Sequence, residues 1–166
     1  GNNTDLCQVR VIVRDANDPP QFTQSVYEAR VPEDVGNSEN VVRVSAVDND
    51  LDVNSRKFTY RMLGGNSGRV FSVDSESGWV TTAGSLDRET TDVYELIVGA
   101  VESGPGGKTG TTTVRVTVDD VNDNGPHFQP SIPEGHILEN HTPYTSTVID
   151  LRDYTQDADL PPNQGP

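Results

Sequence analysis

Asp120-Val121-Asn122-Asp123-Asn124-Gly125-Pro126-His127-Phe128 sets carboxylate and amide oxygens at alternate and adjacent positions, then stops regular structure with Gly-Pro. Such oxygens suit a hard divalent cation, and Ca²⁺ takes about six to eight of them. One short extended segment supplies only a few, so further ligands must come from other loops. A shortened copy of the run stands at Asp15-Ala16-Asn17-Asp18-Pro19-Pro20-Gln21-Phe22.

The chain has 166 residues, a formal net charge of −14, 15 Gly and 11 Pro, with few aromatics. That composition favours a thin β-sandwich with many turns over a large α/β core. The acidity argues against a nucleic-acid partner, which calls for a basic face, and equally against an anionic membrane surface. Cys7 is the single cysteine, so no internal disulfide framework and no Cys/His zinc cluster exists. It lies in an apolar run and is expected to be buried. No signal peptide or membrane-spanning stretch is present. Two N-glycosylation sequons occur, at Asn2-Asn3-Thr4 and Asn140-His141-Thr142.

Apolar alternation then divides the chain. Cys7, Val9, Val11 and Val13 predict one strand, the last of a unit whose body is absent. Seven short strands are expected next, around 27–31, 42–46, 58–62, 71–73, 79–81, 94–100 and 114–118. Asp74-Ser75-Glu76-Ser77-Gly78 is a hairpin signal between two of them. Seven strands over about 100 residues match a Greek-key, immunoglobulin-like sandwich, all-β and in tandem. Trp79 is expected to pack half-buried in its hairpin, and His127, His136 and His141 to lie in exposed loops.

An internal repeat fixes the division. Asp-x-Asn-Asp recurs at 15–18 and 120–123, an offset of 105. Pro20 and Phe22 recur as Pro126 and Phe128, and Glu33 as Glu139, each offset by 106. Asp48-Asn49-Asp50 recurs as Asp157-Ala158-Asp159, with Asn54 matching Asn163, offset by 109. Residues 1–18 therefore read as the end of one repeat, 19–123 as a complete repeat, and 124–166 as the start of a third. Hydrophobic patterning alone would not make these acids recur.

The run Asp-x-Asn-Asp-Asn-x-Pro-x-Phe, the stretch Leu86-Asp87-Arg88-Glu89 and the Asp-x-Asp…Asn spacing together resemble the extracellular repeats of the cadherin superfamily, over essentially the whole chain. In that family calcium sits between successive repeats. The resemblance assigns Glu33, Asp87 and Glu89 to the bottom of the complete repeat. Asp120, Asn122, Asp123 and Asn124 fall to its linker, and Asp157, Asp159 and Asn163 to the top of the next repeat. Seven of these are carboxylates, a local charge of −7, which about two or three Ca²⁺ would nearly cancel. At the preceding junction it assigns Asp15, Asn17 and Asp18 to the linker, and Asp48, Asp50, Asn54 and Glu102 to the upper repeat.

Three departures bear on that first junction. Pro19 stands where the second linker has Asn124-Gly125. Glu102 replaces the family's usual Asp, and Asp52 a common Gly. The first junction is accordingly expected to bind calcium with one site weakened or missing. Arg88, between two expected ligands, is expected to point away from the metal and pair with an acid.

The resemblance implies a calcium-stiffened module in the extracellular part of a plasma-membrane protein. It further implies calcium-dependent cell–cell adhesion, with a cadherin of the same or related type as partner. The alternative is a calcium-stabilised spacer or matrix-type adhesion protein without direct cell contact. An enzyme such as a glycosidase would need paired carboxylates, but each clustered acid here has a cation-site explanation and no nucleophile–base pair accompanies them.

Overall fold

The computed structural model describes residues 7–50, 57–128, 134 and 154–161. Strand β1 (Gln21–Phe22) is followed by β2 (Val26–Pro32), β3 (Asn40–Arg43), β4 (Ala46–Val47) and β5 (Phe58–Gly64). Then come β6 (Phe71–Val73), β7 (Trp79–Thr82), β8 (Val93–Glu102) and β9 (Thr109–Asp119). The last two, β10 (His127–Phe128) and β11 (Thr155–Gln156), follow the second linker.

Two sheets make the sandwich. One is ordered β2-β9-β8-β5 and the other β3-β7-β6. In the first, β2 runs parallel to β9, whereas β8 is antiparallel to both β9 and β5. Sequence-distant strands thus lie side by side, as a Greek key requires. Period-two alternation turns Leu96, Val98, Val114 and Val116 inward from the first sheet, to meet Val44, Val80 and Phe71. Burying such side chains contributes roughly 1.5–3 kcal/mol each.

The expected strand at 42–46 is two strands in two sheets. β3 pairs with β7, while β4 pairs with β1, a strand that alternation did not announce. The chain breaks at Val44-Ser45, where the freed backbone groups find other partners, as buried groups must. The Val44 amide donates to Gly78 at 2.9 Å. The Tyr27 hydroxyl accepts the Ser45 amide at 3.1 Å, and the Tyr60 hydroxyl accepts that of Ala46 at 2.9 Å.

The strand expected at 7–14 is a second correction. Those residues form no strand, and Cys7, expected to be buried, is exposed along with Val9, Val11 and Val13. A lone strand with no neighbour leaves its amides and carbonyls to water and gains nothing from its apolar face. Trp79, by contrast, is 36% exposed at the start of β7.

The repeat seen in the sequence recurs in the pairing. β1 faces β4 with Gln21 opposite Val47, and β10 faces β11 with His127 opposite Gln156. Each linker therefore runs into a short antiparallel pair beside an Asp-x-Asp segment.

Candidate metal centres at the two junctions

The second junction is built on Glu33, just beyond β2 and only 6% exposed. Its Oε2 accepts the amide of Arg88 and its Oε1 that of Val121, both at 2.8 Å. One side chain thereby fixes the 87–89 loop against the linker. Glu33, Glu89 and Asp120 each offer a carboxylate oxygen, and these three lie within 4.8 Å of one another. Oxygens sharing one calcium stand no more than about 5 Å apart, so the three suit a common cation.

Asp120 also reaches across the junction. Its Oδ2 accepts the amide of Leu160 at 3.0 Å. From the other side, Asp159, fully buried, accepts the side-chain amide of Asn124 at 2.9 Å and its backbone amide at 3.4 Å. Asp157 turns its Oδ1 back to the amide of Asp159 at 3.1 Å. Burial, together with the negative charges of Glu33, Asp159 and Asp87, pushes the carboxyl of Asp123 above its ordinary range. A cation here would relieve that repulsion.

Asp87 and Arg88 make further bonds beside this cluster. Asp87 is exposed and turned to Thr90, whose amide and hydroxyl it accepts at 3.1 and 2.7 Å; those bonds hold its carboxyl low. Arg88 does pair with acids, but it points into the junction rather than away. Its guanidinium binds Asp120 and Glu89.

At the first junction, one carboxylate oxygen each from Asp48, Asp50 and Glu102 again lie within 4.8 Å of one another. Asp50 and Glu102 are buried. The amide of Asp50 donates to Asp48 Oδ1 at 3.0 Å, as at the second junction. Glu102 Oε2 accepts the Asn17 side chain at 2.9 Å and the Lys108 amide at 2.8 Å, which hold its carboxyl below the usual range. Glu102 Oε1 and Asp48 Oδ2, however, are buried with no hydrogen-bond partner among the described residues. Buried carboxylate oxygens without a partner are costly, and this cluster of three carboxylates could hold a metal and fits calcium. The additional methylene of Glu102 has not taken it out of the cluster.

The single-residue deletion in the first linker now has a position. The amide of Asp18 donates to Asp50 at 3.0 and 3.3 Å, the bond that the Asn124 amide makes to Asp159. Aligned on that bond, Asp18 takes the place of Asn124, an offset of 106. Pro19 has no N–H to give, so the donor must precede it. Asp15 and Asn122 lie on the exposed sides of their linkers. Sequence reading missed Lys108, whose ammonium binds the carbonyl of Asn17 from 91 residues away; no local pattern signals such a pairing. Asn54, Asn163, Glu139 and both sequons fall outside the described residues.

Comparison with known proteins bears on this arrangement. The family model of the cadherin domain matches residues 27–119. Human protocadherin Fat 4 is 42% identical over 166 residues, covering 100% of this chain and 3% of that protein. Among solved structures, mouse cadherin-23 EC22-24 superposes with a TM-score of 0.77 at 29% identity, over 90% of this chain and 47% of that one. The protocadherin gammaB7 EC3-6 cis-dimer structure gives 0.70 at 25% identity, over 89% and 37%. The chain thus spans a small fraction of the length of its curated relatives.

Proposed function

Because the chain belongs to the cadherin family and to the extracellular part of a plasma-membrane protein, we propose that it is a calcium-stiffened junction module serving calcium-dependent adhesion. On this reading residues 19–123 are one complete repeat, flanked by the end of one repeat and the start of another. The observation that carries it is the pair of buried oxygens on Asp48 and Glu102 that have no partner among the described residues.

Calcium, when bound, would supply the positive charge that these carboxylates lack. Asp48, Asp50 and Glu102 would hold it above the first linker, with Asp15, Asn17 and Asp18 from the linker. The deletion before Asp18 leaves this linker one oxygen-bearing residue short, and one of its sites is correspondingly weak. Glu33, Asp87, Glu89, Asp120, Asn122, Asp123, Asn124, Asp157 and Asp159, with Asn163, would hold it at the second.

The partner is a cadherin of the same or related type, and the module itself is not an enzyme. Its contribution is rigidity: cation-neutralised carboxylates lock consecutive repeats into one rod, which positions distal binding faces. Small-angle scattering with calcium and with chelator tests this, using Asp123→Ala as control. A longer, stiffer particle in calcium, reduced in the variant, is expected; identical profiles in both buffers would refute it.

A further inference from the structure

Arg88 stands among the acids of the second junction, and its own bonds span that junction. Its Nε and Nη2 bind Asp120 and Glu89 from below, and Nη2 donates to the carbonyl of Ala158 at 2.8 Å from above. Its backbone amide is held by Glu33 at 2.8 Å. The side chain is 12% exposed, beside Asp120 at 9% and Glu89 at 23%. A guanidinium is always charged, planar and armed with five donors, so it can hold two carboxylates and a carbonyl at once. Lysine, a compact point charge, cannot reproduce that fork.

We propose that Arg88 is the resident cation of the second junction. Without metal it neutralises Asp120 and Glu89 and straps the lower repeat to the Asp157–Asp159 segment through Ala158. Calcium that uses the same two carboxylates must displace it from them. Arg88 therefore competes with calcium and sets the concentration at which the junction loads.

The displacement half rests on the calcium reading above, whereas the strap does not, so two arms separate them. In chelator, amide hydrogen exchange on the 166-residue chain reads the strap at Leu160, whose amide is bonded to Asp120. Arg88→Gln should speed Leu160 exchange about tenfold or more, and leave the core amides of Val98 and Val116 unchanged. Arg88→Lys should speed it too, having lost the fork. In calcium, calorimetry reads competition. Arg88→Gln should tighten binding at the second junction by about threefold to tenfold, as expected on removing a like charge beside a cation site, with Arg88→Lys close to the parent.

Unchanged Leu160 exchange in both variants would overturn the strap. Weaker or equal calcium binding in Arg88→Gln would overturn the competition. If the parent chain binds no calcium, the calcium reading fails and the competition with it, and the exchange arm alone judges the strap. Should Arg88→Gln disturb the core amides, Arg88→Lys decides both arms: exchange as slow as in the parent overturns the strap, and calcium affinity well away from the parent's overturns the competition.

Discussion

Glu33 accepts the amide of Val121 at 2.8 Å, although 88 residues separate them. The end of β2 is thereby joined to the linker immediately past Asp120, and the same carboxylate holds the amide of Arg88. Glu33 thus ties the 87–89 loop and the linker together with its own carboxylate. Glu33→Ala would leave two amides without acceptors, and loss of about 3 kcal/mol of stability follows from the usual cost of such groups. Urea unfolding in chelator measures it with metal removed from the comparison. Stability within a few tenths of the parent's would contradict this role.

Glu102 gives a second expectation. Glu102→Gln keeps the side-chain length but removes the charge, and its amide cannot both accept from Asn17 and Lys108 and serve a cation with its other atom. Calcium affinity at the first junction should fall about tenfold or more, given that carboxylate charge governs such sites, while the second junction is unaffected. Calorimetry on the chain reads the two separately, and unaltered binding at the first junction would remove Glu102 from the ligand set.

Much of this was legible in advance, for identifiable reasons. Val114, Val116 and Val118 alternate because their strand has one buried face, so the sandwich could be read from period two. The acids recur at fixed offsets because each sits at a strand end or loop, where packing does not dictate identity. Less was legible where the partner lies far off in sequence. Val44-Ser45 looks like strand interior until the hydroxyls of Tyr27 and Tyr60 are seen taking its amides. Arg88 looked peripheral because charge alone does not say which of its neighbours it faces. Residues 7–14 carry a strand pattern, but pattern does not supply a neighbouring strand.

Gly110 tests how closely the first linker is seated on the sandwich. A Cβ there would lie 1.8 Å from the carbonyl oxygen of Pro20, which is itself fully buried. Backbone cannot yield as a flexible side chain can. Gly110→Ala should therefore destabilise the fold by about 1–3 kcal/mol, the usual cost of overpacking, and shift the amide resonances of β1. A variant of parent stability would mean that the Pro20 segment moves away at no cost.

Asp74 offers a pH-dependent check on the β6–β7 hairpin. Its Oδ1 accepts the Ser77 hydroxyl at 2.6 Å and the Ser77 amide at 2.8 Å, and these bonds lower its pKa from the ordinary 3.8. A lowered folded-state pKa means that the carboxylate's contribution is fully present above 3.8 and is lost as pH falls below it toward the folded-state value. Asp74→Asn should therefore be less stable than the parent at neutral pH, and the gap should narrow on acidification below that value. Thermal unfolding from neutral to strongly acidic pH follows it; a gap independent of pH would contradict the assignment.

On the proposed reading, carboxylates at two places along one chain are calcium ligands. Residue-resolved NMR during a calcium titration addresses it most directly. Saturable shifts are expected, centred on Glu33, Glu89 and Asp120 at one junction, and on Asp48, Asp50 and Glu102 at the other, with the β8–β9 core unmoved. Spectra that do not change with calcium, or shifts spread evenly over exposed acids such as Asp74 and Glu95, would contradict it.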